Sequence, residues 1–384
     1  MTTLRVGVVG AGIVGLAHAW SAAERGHRVT VFERTDQARG ASIRNFGMVW
    51  PIGQPPGEFL QLALESRARW LRFAEVSGTW VDPCGSIHLA HRDDEWAVLE
   101  EFAGRSREPG YDCELLTSDQ VRRQTPAANP AGLRGGLRST TELCVNPRAA
   151  LPSLAKWLGE QYGVSFHWGT QVGGVHGDDR TSVLATSRGV SGPYDRLVLC
   201  SGADFRALFP DVYEGAGIRL CKLQMMRTRP VDGWRLKTHL ASGLTLRHYQ
   251  NFEICDSLAK LKQRIAEEFP ELDRYGIHVM ASQNELGEVI LGDSHEYDEA
   301  ISPFDNPAID DLILRELHKI LRLPTWDIAA RWHGVYAKLP GRPVFEASPQ
   351  PRVHVCTATG GAGMTMSFGL AERAWRTWSA EQGS

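Results

Sequence analysis

Three glycines and one glutamate form the chain's clearest chemical pattern. In Gly10-Ala11-Gly12-Ile13-Val14-Gly15, the first glycine permits a tight turn, the second leaves room for a pyrophosphate beside the backbone, and the third lets a helix pack closely on a strand. Glu33, eighteen residues beyond Gly15, ends the next apolar run. There it is placed to accept hydrogen bonds from a ribose and to disfavour a 2′-phosphate. The helix N-terminus behind the turn offers about half a positive charge to a diphosphate. This is the chemistry of dinucleotide binding. Both NAD and FAD present an adenosine diphosphate, so the unit alone does not choose between them.

Two further places fit a backbone that approaches a ligand. The apolar run Leu197 to Cys200 stops at Ser201-Gly202, and Val353 to Cys356 runs into Gly360-Gly361-Ala362-Gly363 ahead of a helix through Trp375. The second creates another exposed helix N-terminus. Side chains that could hold a substrate anion are Arg44, Arg227, Arg247 and Lys338, with His248, Tyr249, His333 and Tyr336 as neutral donors. Each also reads as an ordinary surface or packing residue. His333, Tyr249 and Arg44 are the three placed nearest to catalysis.

The elements that must position these groups follow from patterning. Val6 to Val9, a helix to about Arg25, a turn at Gly26 and Val29 to Phe32 form a βαβ unit of an α/β fold. Between Ala216 and Thr325 that pattern disappears. "RLCKLQMMRTRP", "GLTLRHYQNFEIC" and "YGIHVMASQNELGEVILGDSH" read as strands broken by turn residues, an antiparallel sheet over the ligand. "FDNPAIDDLILRELHKILRL" is an amphipathic packing helix, with Pro307 at its first position. The segment 34–57 is too irregular for a helix, and Pro51, Pro55 and Pro56 reinforce that.

Length and composition bound the rest. A chain of 384 residues exceeds one compact core and predicts two domains. With 42% hydrophobic and 23% charged residues it is an ordinary globular chain. A net charge of −3 without a basic run argues against a nucleic-acid partner. Seven scattered cysteines with no C-x-x-C pair fit reduced thiols, and no metal ligand set is expected. Neither a signal-peptide pattern nor an apolar run of about 20 residues is visible, so a cytoplasmic protein without a membrane span is the expectation.

From Glu33 onward, "FERTDQARGASIRNFGMVW" resembles the flavoprotein amine oxidases of the D-amino-acid oxidase, glycine oxidase and sarcosine oxidase family. "ELCVNPRAALPSLAKWL", "YDRLVLCSGADFRALFP" and "RWHGVYAKLPGRPVFEASPQPRVHVCTATGGAGMTMSFGLAE" continue the match in order. The resemblance implies a Rossmann-like FAD-binding domain (1–80, 143–212 and 328–384). A second α+β substrate domain (81–142 and 213–327) would cover the flavin with an antiparallel sheet. It implies FAD along Gly10, Gly12, Ile13, Val14, Gly15, Glu33, Arg34, Ala41, Ser42, Asn45, Phe46, Gly47 and Met48. Val172, Ser201, Gly202, Gly334, Val335 and Gly360 to Thr365, which includes Ala362, Gly363 and Met364, would complete the contact.

The family's covalent flavin anchors are a His after the G-A-S/T turn or a Cys near the closing segment. Here those places carry Ile43-Arg44-Asn45 and His333-Gly334-Val335-Tyr336, so the FAD is expected to be non-covalent. The chemistry implied is loss of a hydride equivalent from a carbon next to an amine, giving an imine that water hydrolyses. O2 or another acceptor would then reoxidise the flavin. "GASIRNFGMVWPIGQP" resembles the subgroup linked to aminophosphonate breakdown. Oxidation of glycine, sarcosine or a D-amino acid, a non-catalytic flavin-binding module and a plain NAD dehydrogenase stay open as alternatives, as do oxidase against dehydrogenase and the oligomeric state.

Overall fold

A computed structural model of the chain describes residues 2–298 and 300–381. Residue 1 and residues 382–384, the outer ends of the expected nucleotide-binding domain, lie outside the described residues.

The opening motif builds the centre of a six-stranded sheet. Arg5–Val9 lies between Arg196–Leu199 and Arg28–Phe32, flanked by Val353–Thr357 and Phe345–Gln350 on one side and by Ser165–His167 on the other. All pairs are parallel except the edge pair of Phe345–Gln350 with Val353–Thr357. The helix Ile13–Glu24 is apolar on nearly every side and correspondingly buried, because it is sandwiched between that sheet and the helices Gly363–Glu381 and Pro147–Tyr162. This is a Rossmann-like α/β layer.

The second layer is a nine-stranded sheet. Along it run Glu296–Asp298, Arg219–Thr228, Val289–Gly292, Met280–Gln283, His239–Ala241, Ser86–Ala90, Gly135–Ser139 and Cys113–Thr117. Its pairs are antiparallel except His239–Ala241 with Ser86–Ala90. The helix Pro307–Ile320 covers it, with Asn306 capping the Ala308 N–H as the Pro307 signal predicts. Each layer has its own large hydrophobic core.

Two expectations need correction. "GLTLRHYQNFEIC" is not a strand: Gly243–Arg247 and Gln250–Ile254 are 3-10 turns. Leu244, Thr245 and Leu246 are buried one after another, so no two-residue alternation exists to make a sheet face, and a Cβ on Gly243 would sit 2.1 Å from the Glu95 carboxyl carbon. The segment Ile328–Lys338, assigned to the nucleotide-binding domain, instead pairs with Arg219–Thr228 in the larger sheet, from Lys338 opposite Arg219 to Ile328 opposite Thr228. Gly334 marks a close approach inside that strand: a Cβ there would stand 3.2 Å from the Arg44 carbonyl. The chain rejoins the six-stranded sheet at Phe345.

Among the described residues no helix is long and apolar enough to cross a membrane.

Candidate functional site

A cavity of about 830 Å3 lies between the two sheets, within the size range of small-molecule and cofactor sites. One end is built largely from main chain. The backbone N–H of Ala11 donates to Glu33 Oε2 (3.0 Å), and that of Ile13 donates to Ser42 Oγ (3.0 Å). Glu33 Oε1 accepts from the Thr35 N–H and hydroxyl, so its carboxylate braces both the glycine turn and the strand end. The Gly15 position tolerates no side chain, since a Cβ would stand 1.9 Å from the Gly10 carbonyl oxygen.

Asn45 shapes the segment beyond. Its amide donates to the carbonyls of Ala41 (3.0 Å) and Ser42 (2.9 Å), and its oxygen accepts from the Gly47 N–H (2.8 Å). Gly47 turns the chain at φ +75°, where a Cβ would meet the Val145 carbonyl oxygen at 1.9 Å. After the 3-10 turn Pro51–Gly53 and the prolines Pro55 and Pro56, a helix starts at once, Glu58–Ser77. The Thr365 hydroxyl accepts from the Trp50 N–H (2.9 Å), tying this segment to the glycine loop 360–363 and the helix Gly363–Glu381.

The other end belongs to the larger sheet and is built from side chains: Met225, His248, Tyr249, His278, Met280, Asp293, His295, Tyr336 and Lys338. The three imidazoles lie ring against ring, with centroids 4.0 Å (His248 to His278), 4.3 Å (His248 to His295) and 4.6 Å (His278 to His295) apart. Asp293 Oδ1 is 3.4 Å from His278 Nδ1. Tyr249 donates to the Met280 sulfur (3.4 Å), and Lys338 Nζ donates to the Tyr297 hydroxyl (3.0 Å). Burial governs the titration here. It lowers His295 to about 3, with Lys338 acting the same way, and it pushes His248 and His278 well below the ordinary range, helped by their neighbouring imidazoles. Burial lowers Lys338 and raises Asp293 well above a normal carboxyl.

Most of the residues singled out in the sequence line this cavity: Gly10, Gly12, Ile13, Val14, Glu33, Arg34, Ala41, Ser42, Arg44, Asn45, Phe46, Met48, Val172, Ser201, Gly202, His248, Tyr249, Gly334, Val335, Tyr336, Lys338 and Gly360 to Thr365. Gly15 and Gly47 stand behind the wall, acting through backbone shape. Arg227, Arg247 and His333 are not in the wall. Arg227 pairs with Glu288 at 2.7 Å. Arg247 is held by Asp273 (2.6 Å) and by the carbonyls of Leu272 and Ile277. His333 alternates away from Gly334 and meets Asp305 at 2.8 Å.

His278, Asp293 and His295 were not singled out. The hairpin that pairs Met280 with Gly292 brings them together: one residue out of that register, His278 and Asp293 exchange backbone hydrogen bonds (3.3 and 3.0 Å).

The profile of the family described as FAD dependent oxidoreductase matches residues 5–375. The chain belongs to that family. Glycine oxidase of Geobacillus kaustophilus (strain HTA426) is 27% identical over 206 residues, covering 52% of this chain and 54% of that enzyme. The tRNA 5-methylaminomethyl-2-thiouridine biosynthesis bifunctional protein of Shewanella halifaxensis (strain HAW-EB4) is 24% identical over 208 residues, 51% of this chain and 32% of the relative. The chain thus spans from about a third to about half the length of these curated relatives. The crystal structure of glycine oxidase from Bacillus cereus ATCC 14579 superposes with a TM-score of 0.77 at 18% identity over 97% of this chain and 93% of that one, a likeness of fold.

The residues fit the FAD that the family uses. The turn at Gly10 to Gly15 carries no side chain at Gly12, where a Cβ would stand 3.1 Å from Ser42 Oγ, and Glu33 directly follows the second strand. The same cavity is also lined by the glycine loop 360–363 and by the three histidines.

Proposed function

We propose that this FAD-dependent oxidoreductase oxidises a small primary or secondary amine bearing a compact anionic group, an aminophosphonate such as 2-aminoethylphosphonate or its N-methyl derivative, to phosphonoacetaldehyde. One observation carries the reading: beyond the glycine-built cleft, the same cavity ends in Lys338, three imidazoles and the hydroxyls of Tyr249 and Tyr336, with Arg44 beside them. A phosphonate has three oxygens and up to two charges, more than one carboxylate presents, and Lys338, Arg44 and the two hydroxyls offer donors to it.

Bound FAD, held non-covalently by the glycine turns, Glu33, Ser42 and the loop 360–363, would take up the hydride equivalent. The carbon next to nitrogen loses that hydride, and the resulting imine takes up water to give the aldehyde and ammonia or methylamine. Alkylamines are mostly protonated at neutral pH, their pKa being about 10. The buried Lys338 disfavours a second cation beside it, which helps the substrate nitrogen shed its proton and make its lone pair available. O2 or another acceptor closes the cycle.

Glycine oxidase similarity supports a second reading, oxidation of glycine, sarcosine or a D-amino acid. A panel of 2-aminoethylphosphonate, its N-methyl derivative, glycine, sarcosine and D-alanine, scored by kcat/KM with and without O2, separates them. The aminophosphonates are expected to lead, and a lead of about tenfold or more for glycine or sarcosine, about 1.4 kcal/mol, rejects the phosphonate reading. Acid precipitation is expected to leave the yellow chromophore in the supernatant, whereas flavin that pellets with the protein means a covalent link.

A further inference from the structure

We propose that His248, His278 and His295, with Asp293 orienting His278 from behind, form a three-ligand binding site for a divalent transition-metal ion of the zinc class. The site rests on side-chain geometry alone. Its use, offering an open coordination position to an oxygen of the substrate's anionic group, rests on the function proposed above.

The ligand atoms of the three histidines lie within 4.8 Å of one another. Zinc at its usual nitrogen distance holds tetrahedral ligands roughly 3.3 Å apart, so small rotamer changes complete the site. Both nitrogens of His278 and Oδ1 of Asp293 are buried without a hydrogen-bond partner, and each side chain is more than nine-tenths buried (4% and 6% exposed). Buried polar atoms in that state are costly, and an ion held by Nε2 of His278 satisfies that nitrogen while Nδ1 turns to Asp293 Oδ1, 3.4 Å away. His295 Nδ1 lies 3.3 Å from the Gly276 carbonyl. A ring N–H donated there leaves the lone pair of the other nitrogen free, the arrangement that orients metal-binding histidines.

An anion resting directly on this cluster would meet the Asp293 carboxylate, whereas a dication draws both to itself. Lys338 and Arg247 are the cations close by. Arg247 is already neutralised by Asp273, and Asp293 supplies compensating charge for the ion. Imidazole suits zinc, iron(II), copper and nickel, whereas calcium and magnesium take oxygen ligands, so a set of three histidines selects the former.

A second group, His18, His354 and Cys356, also brings ligand atoms together, deep in the other layer. Glu346 beside it is engaged with Arg373. The test must tell the two apart.

FAD-loaded protein, freed of any histidine tag, is dialysed against zinc and then against metal-free buffer, and its zinc is counted by mass spectrometry beside its flavin absorbance. About one zinc per chain is expected in the wild type and in Cys356→Ser, and below roughly a tenth in His278→Ala and His295→Gln, each with its FAD retained. Wild-type protein without zinc, histidine variants that keep it, or loss of the ion in Cys356→Ser overturns the site. Wild-type protein loaded with Cu2+ gives an independent reading: coupling to imidazole nitrogen in its paramagnetic resonance spectrum is expected, and absence of that coupling overturns the site with no variant needed. Ion content does not depend on turnover, so failure of the substrate panel leaves this result standing, and the converse holds.

Discussion

The two ends of the cavity are made differently. At the glycine end, peptide groups and a few short side chains do the recognition, and the polar atoms bracing it have partners: Ala11 with Glu33, Ile13 with Ser42, Gly47 with Asn45. At the histidine end, long titratable side chains from separate strands and turns converge, and several have none. A backbone cradle fits a constant ligand and varies little in charge. A side-chain cluster sets the affinity for whatever enters, and its protonation changes with its contents.

The largest expected effect is at the cradle. Gly15→Val places a Cβ against the Gly10 carbonyl and parts the helix from the strand, so FAD content is expected to fall about 100-fold or more, as absorbance per chain will show. A variant that kept its flavin would dissolve the contrast between the ends. Next come Lys338→Met and Arg44→Ala. Both are expected to leave FAD bound while raising KM about 10- to 100-fold for an anionic amine, much less for an uncharged analogue, the loss of one charge-assisted contact. An unchanged KM would remove that residue from the substrate end.

Smaller, and spread over both layers, is a dependence on acid. Burial lowers His18, His88 and His295 to about 3 and His239 to about 4. Below pH 6.5 the unfolded chain takes up protons that these folded histidines refuse. Their contribution is therefore full above pH 6.5 and is lost as pH falls toward 3 to 4, at about 1.4 kcal/mol per pH unit for each once well inside that window. Asp293 and Glu142, raised by burial, act in the opposite sense and offset part of it. The urea midpoint should drop clearly between pH 7 and pH 5, and a flat profile would mean that these imidazoles are charged in the fold. The smallest effect belongs to His333→Ala. Lying beyond the wall with Asp305, it is expected to change kcat/KM by less than about threefold.

The same contrast explains what could be read from the chain. The cradle is local: Gly10, Gly12, Gly15 and Glu33 lie within one βαβ unit, and each answers to a single backbone requirement. Asn45 and Gly47 are similarly self-contained. The histidine end is non-local. Arg227, Arg247 and Lys338 are equally cationic in the sequence, but only the register of their strands and the nearness of Glu288 or Asp273 decides which one faces the cavity. Arg247 sat in a supposed strand that folds as a 3-10 turn, and His278 and Asp293 needed the hairpin to be closed before they met.

The strand Ile328–Lys338 has a consequence for how such a protein works through its cycle. Gly334, Val335, Tyr336 and Lys338 all line the cavity, on one ribbon clamped along its length to Arg219–Thr228. Strand residues advance about 3.3 Å each, so the spacing among these four wall positions is ruled like marks on a scale. Both strands of that clamp belong to the larger sheet, so the ruling is kept within one layer from one turnover to the next.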